Sequence, residues 1–286
     1  MSEIFNSDFY SKLNMLRFPL RISNATGLSG SRKSNAKGNS VEFSDFREYR
    51  LGDDIRRIDW NAYGRFDKLY VKLFMEEKEG LFNIFVDNSA SMNYGENSKG
   101  VCALRIAGIL SYLVLSAGDR LSVNLMRDGS LTCHNNLSQM QAFPKCLQYL
   151  EESVFTGNGQ LLESIKSKEF RGSGLSFVIT DCFTDDMEDI CKYLRFKNQD
   201  IVIIHVLAEE EINPVLDGTL NLVDMEDGSS LKATMSQSLI RTYKNNLKKF
   251  YEDMESLCRR NKATYIKVNS SDSLDAIVFG AMAVLK

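Results

Sequence analysis

Residues 81–91 read Leu81-Phe82-Asn83-Ile84-Phe85-Val86-Asp87-Asn88-Ser89-Ala90-Ser91. An almost wholly apolar run ends abruptly on an acid and two hydroxyls. A strand apolar on both faces belongs in a parallel sheet covered by helices on each side; a half-solvated sheet would alternate polar and apolar residues. The chain downstream repeats the theme. Apolar strand patterns fall at 121–126, 175–180, 201–207 and 265–268, and helical periodicity falls at 100–117, 139–150, 161–168, 186–195, 237–260 and 273–285. Asp128-Gly129 is a hairpin turn dipeptide, so 131–134 is expected to pair back on 121–126. Alternating strands and helices imply an α/β fold with a mainly parallel central sheet and helices on both faces. Ligands of such sheets bind beyond the carboxyl ends of the strands.

Upstream of residue 81 the pattern is different. Phe5, Phe9, Leu13 and Leu16 recur at helical spacing before Pro19, which predicts a helix over 5–18. Residues 27–40 are rich in Gly, Ser and Asn, with Arg32, Lys33 and Lys37, and read as a solvated loop. Leu69, Val71 and Leu73 alternate with Tyr70, Lys72 and Phe74 as in a half-buried strand. Residues 28–80 hold too few aliphatic side chains for a core of their own. The expected organisation is therefore an N-terminal helix and linker (1–27), a charged segment packed on the main domain (28–80), and the α/β domain (81–286).

Composition narrows the function classes. The 286 residues carry 35 Lys+Arg against 38 Asp+Glu, 43% hydrophobic residues and only 3 Pro, which describes a globular chain. Residues 1–75 hold 13 basic and 9 acidic residues, +4, leaving −7 for the remainder; neither value is the footprint of a nucleic-acid binder. The six cysteines include no CxxC pair and there are two histidines, which argues against a structural zinc site and fits reduced thiols in the cytoplasm. The longest apolar run, 106–117, is short of the roughly 20 residues of a spanning helix, and the first ten residues lack the pattern of a secretory signal.

Asp87, Ser89 and Ser91 place three oxygens on one tight loop, and Asp181 closes the apolar strand 175–180. A cap on the following helix would account for Asp87 and Ser89 alone. Two carboxylates and two hydroxyls at strand ends instead describe a hard-cation site, for Mg²⁺ or else Mn²⁺ or Ca²⁺. His205 lies within an apolar strand and reads as a core histidine, and Cys182 reads as a buried, inert thiol.

These residues resemble the metal-ion-dependent adhesion site of von Willebrand factor A domains. A second resemblance is more specific. Glu42-Phe43-Ser44-Asp45-Phe46-Arg47-Glu48-Tyr49, then Gly52-Asp53-Asp54-Ile55-Arg56-Arg57-Ile58-Asp59-Trp60, then Leu69-Tyr70-Val71-Lys72 is similar to the signature of the bacterial family called domain of unknown function 58. The resemblance covers about residues 28–285 and implies a von Willebrand factor A-like fold. It also implies a link to MoxR-type AAA+ ATPases, beside which members are often encoded. The family's metal site takes a threonine where this chain reads Thr156-Gly157-Asn158-Gly159-Gln160-Leu161. Gly159 stands at that position, so a weakened or empty site is expected, with Thr156 as the substitute oxygen.

Asp53, Asp54, Arg56, Arg57 and Asp59 are the candidate partner-binding residues. Carboxylate–guanidinium pairs inside the fold are the alternative for Arg56 and Asp59, and Trp60 is expected in the core. The functional expectation is a non-enzymatic, metal-dependent protein-binding module, an adaptor or co-chaperone of a MoxR-type ATPase and its clients. The alternative is a metal-dependent phosphatase or phosphotransferase of the haloacid-dehalogenase type, for which Asp185 and Asp186 also lie near Asp181. That chemistry needs a second Asp two residues after the nucleophile as general acid, and Ser89 stands there.

Overall fold

The computed structural model describes residues 4–13, 42–75, 80–214, 218–223, 225–226 and 228–285. The chain divides into two compact units, one formed by 1–20 with 80–286 and the other by 21–79. The expected loop over 27–40 and the residues of the first helix beyond Leu13 lie outside the described residues.

Helix α1 (Ser7–Leu13) begins where Asn6 Oδ1 accepts from Phe9 N at 3.0 Å, and it buries Phe9 and Leu13. The smaller unit pairs β1 (Glu42–Glu48) antiparallel with β2 (Tyr70–Met75), and α2 (Trp60–Phe66) lies between them in the chain. Asp59 caps α2, accepting from Asn61 N at 2.9 Å and Ala62 N at 3.1 Å. Trp60 is 64% exposed, which corrects the expectation that it is core. It is the first residue of α2, and the short helix leaves Phe66 similarly exposed at 66%.

The larger unit is built on β3 (Leu81–Asp87), α3 (Lys99–Ser116), β4 (Arg120–Arg127), β5 (Ser130–Leu137), α4 (Phe143–Glu151), α5 (Leu161–Lys166), β6 (Gly174–Thr180), α6 (Met187–Phe196) and β7 (Gln199–Leu207). A short α7 (Glu209–Ile212), the hairpin β8 (Gly218–Val223) and β9 (Ser230–Met235), the long α8 (Gln237–Arg260) and β10 (Thr264–Asn269) follow. The sheet order is β10-β7-β6-β3-β4-β5, parallel throughout except for β5, which turns back on β4. This is the α/β architecture expected from the sequence, a mainly parallel sheet with helices on both faces, with one reversed edge strand. Asp128 and Gly129 adopt φ of 49° and 72°, the left-handed pair that a two-residue hairpin of this twist requires.

Strand alternation divides the core. Phe85, Val178 and Ile203 pack with Leu161, Ile190, Leu194 and Met254 under α5, α6 and α8. Ile84 and Val86 point to the other face, where α3 lies against the sheet. Helix α3 is apolar all round and so is buried; 78% of this stretch lies inside the fold, although its length and composition alone would suit a bilayer. The closing segment departs from the expected α-helix. It makes a wide π turn at Ala276–Gly280 and then a tight 3₁₀ turn at Ala281–Leu285, a change of pitch that buries Ile277, Val278, Met282 and Leu285 together.

Candidate functional site

Strand β3 delivers Asp87 to the carboxyl edge of the sheet, next to the end of β6. Asp87 is 1% exposed and Ser89 fully buried. Asp87 Oδ1 accepts from Ser89 N at 3.1 Å and from Ser89 Oγ at 2.7 Å, and Asp87 Oδ2 accepts from Thr180 Oγ1 at 2.7 Å. Ser89 Oγ lies 3.0 Å from Ser91 Oγ, which is part-exposed. Asp87, Ser89, Ser91 and Thr180 therefore form one connected oxygen network that opens at Ser91. Burial first, and then the charge of Asp181, push the Asp87 carboxyl up to about 6.

A second loop is laced onto the first by backbone. Thr156 N donates to Asn88 O at 3.1 Å, and Ala90 N donates to Gly157 O at 3.0 Å. The Thr156 hydroxyl accepts from Arg127 Nη1 at 3.2 Å. Gly159 is the residue of this loop that faces Ser89: a Cβ built on it would lie 3.6 Å from Ser89 Cβ and 3.7 Å from Ser89 Oγ. Glu226, from the β8–β9 turn, accepts from Gly159 N at 3.4 Å.

Asp181 follows β6 and is 2% exposed. Its Oδ1 accepts from Phe183 N at 3.2 Å, and the intervening Cys182 turns through a φ of 59°. Its Oδ2 accepts from Lys99 Nζ at 2.9 Å, and Lys99 also donates to Glu211 Oε1 at 2.8 Å. Lys99 is the site residue that reading the sequence missed. The one available signal was a lysine at the first position of an apolar helix, where the peptide dipoles disfavour a cation. Cys182 is fully buried, as expected, and burial raises its thiol well above the ordinary range.

The donor set suits a hard cation at Asp87, Ser89 and Ser91. Three oxygens are already connected, and an ion would favour the ionised form of a buried carboxyl now held up by desolvation. Asp181 presents both oxygens to other partners. Among the described residues no three His, Cys, Asp or Glu side chains gather as metal ligands.

The charged signature works within the smaller unit. Asp53 accepts from Arg47 Nη2 at 2.9 Å and from Arg50 N at 2.9 Å. Asp54 caps the turn Ile55–Arg57 through Arg56 N at 3.0 Å and receives the Arg56 guanidinium at 3.1 Å. The Arg56 side chain is 87% exposed, so its pairing is a surface one rather than the internal network considered for it. Asp59, besides capping α2, meets Lys72 Nζ at 3.3 Å. Arg57 stands in the same turn.

Comparison with known proteins places the chain in a family. Uncharacterized protein Mb1516 of Mycobacterium bovis and uncharacterized protein Rv1480 of Mycobacterium tuberculosis are each 28% identical over 107 residues, 37% of this chain and 34% of theirs. The match thus spans about a third of the length of these curated relatives. Similar solved structures include the conserved hypothetical protein BatB from Bacteroides thetaiotaomicron, at 14% identity and a TM-score of 0.45 over 72% of this chain and 98% of that one. The SpRpn10 VWA domain is similar at 12% identity and a TM-score of 0.39, over 71% and 94%. The model of the family described as protein of unknown function DUF58 matches residues 45–252, most of the chain, and the chain belongs to that family.

Proposed function

We propose that this chain is a non-enzymatic, cytoplasmic docking module whose contact point is the carboxyl edge of the sheet at Asp87–Ser91. The observation that carries this reading is the buried Asp87–Ser89–Ser91–Thr180 oxygen network that opens at Ser91. A divalent cation, Mg²⁺ or else Mn²⁺ or Ca²⁺, is held by Asp87, Ser89 and Ser91, and an acidic residue of a partner takes an open position on it. The partner is a MoxR-type AAA+ ATPase or its clients, as the family resemblance implies, and the Asp53–Asp59 turn of the smaller unit is a second contact. A pull-down of purified cognate ATPase by the full chain tests the reading. Capture should be lost in chelator and lost in Asp87→Ala; undiminished capture by Asp87→Ala in excess chelator would sink the metal-bridged mechanism.

Phosphoryl transfer is the less supported reading. Lys99 supplies the buried cation such chemistry needs, but its ammonium is engaged by Asp181 and Glu211. Ser89 stands where the general acid would be, and its hydroxyl cannot serve as one near neutral pH. Turnover of phosphomonoesters with Mg²⁺ would reverse this ranking.

A further inference from the structure

Lys99 is 1% exposed, at a position where two effects oppose a cation. It opens α3, at the positive end of the helix dipole, and its ammonium has been taken out of water. Two carboxylates hold it there, Asp181 at 2.9 Å and Glu211 at 2.8 Å, and the rings of Tyr94 and Phe183 flank it at 5.8 and 5.6 Å. The carboxylates of Asp181 and Glu211 thus enclose a buried ammonium, and Lys99 stands as the paired cation of the second acidic strand end. The second oxygens of its partners are also engaged, Asp181 by Phe183 N at 3.2 Å and Glu211 by Ala208 N at 2.8 Å.

We propose that Lys99 is the resident counter-cation of the second acidic strand end, and that it withholds Asp181 from the metal and thereby selects for an acidic partner. The inference rests on the cation site proposed above. A divalent ion held by Asp87 as its one carboxylate keeps a net positive charge; an ion held by Asp87 and Asp181 together would be neutralised. Lys99 therefore lowers affinity for the ion while leaving the bound ion more attractive to a partner's Asp or Glu.

Calorimetric titration of Mg²⁺ and Mn²⁺ into the full chain tests this. Asp181→Asn should bind the ions less than about tenfold more weakly than wild type, the effect of losing a nearby charge rather than a ligand. Lys99→Met should bind at least about tenfold tighter, because a second carboxylate is released to the ion. The double variant should return to the wild-type value. A fall of about tenfold or more in Asp181→Asn would overturn the proposal, as would an unchanged Lys99→Met. Heat that is absent in wild type and appears in Lys99→Met supports it; no heat in either refutes it. Lys99→Met strands two buried carboxylates, so Asp181→Asn, which retains the Lys99–Glu211 pair, decides the matter if Lys99→Met does not fold. Asp87→Ala separates the two readings: binding equal to wild type there removes the cation site itself, whatever Asp181→Asn does.

Discussion

His205 is 1% exposed, shares a 2.6 Å hydrogen bond between its Nδ1 and the Tyr265 hydroxyl, and packs among the rings of Phe250 and Tyr251. Burial holds its imidazole down to about 4, from an ordinary value of 6.5. Between those values the unfolded chain binds the proton and the folded chain does not. Stability from this group is complete above pH 6.5 and is lost as the pH falls towards 4, by about 3 kcal/mol in all. Replacing it by Phe should flatten the urea-unfolding stability between pH 6.5 and 4.5 relative to wild type; an unchanged slope would show that the imidazole is not the group responsible. Asp87, Ser89, Ser91 and Asp181 could all be picked out from the sequence because each ends or follows an apolar strand. Lys99 could not, because its partners lie 82 and 112 residues further along the chain and no local pattern announces that they converge.

At the scale of elements, strong apolar runs were legible and polar ones were not. The hairpin β8–β9 is joined by backbone pairing, and its described side chains are exposed, so it carries no burial pattern to read. Strand β1 and helix α2 escaped for the same reason: their charged and aromatic residues show neither period. Yet the β8–β9 turn brings Glu226 to Gly159, at the loop that faces Ser89. Gly159 does not lie in the left-handed region, and a Cβ there would meet only ordinary contacts, at 3.5 Å from Glu226 Oε1 and 3.6 Å from Ser89 Cβ. Gly159→Thr is therefore expected to fold with stability within about 0.5 kcal/mol of wild type. If Asp87, Ser89 and Ser91 hold a cation, the added hydroxyl should raise Mg²⁺ affinity in calorimetry. An unchanged or lower affinity would mean that a hydroxyl at position 159 does not reach the ion.

For the whole molecule, the succession of apolar strands and amphipathic helices was enough to foresee a mainly parallel sheet, and Asp128-Gly129 enough to foresee its reversed edge. The tightness of the central pairing was not foreseeable. A Cβ on Gly174 would lie 2.3 Å from the Leu81 carbonyl oxygen, an approach that only movement of β3 against β6 can relieve. Gly174→Ala should accordingly lower the melting temperature by several degrees, the response to a loss of about 1–3 kcal/mol. An unchanged melting temperature would mean that the two strands separate there at little cost.

The pairing of β3 with β6 has a kinetic side. Thr180 meets Asp87 across 93 residues of chain, and Lys99 meets Asp181 across 82. Contacts of that span form slowly, because the intervening loop must first be closed at an entropic cost, whereas β4 and β5 meet across a two-residue turn. The reversed edge is therefore expected to assemble before the carboxyl-edge site. Until β6 arrives, Asp87 has neither its Thr180 hydrogen bond nor a neighbouring strand on that side, and β3 presents an open, apolar edge to other chains. Completion of the carboxyl edge and protection of β3 from aggregation are thus expected in the same late step.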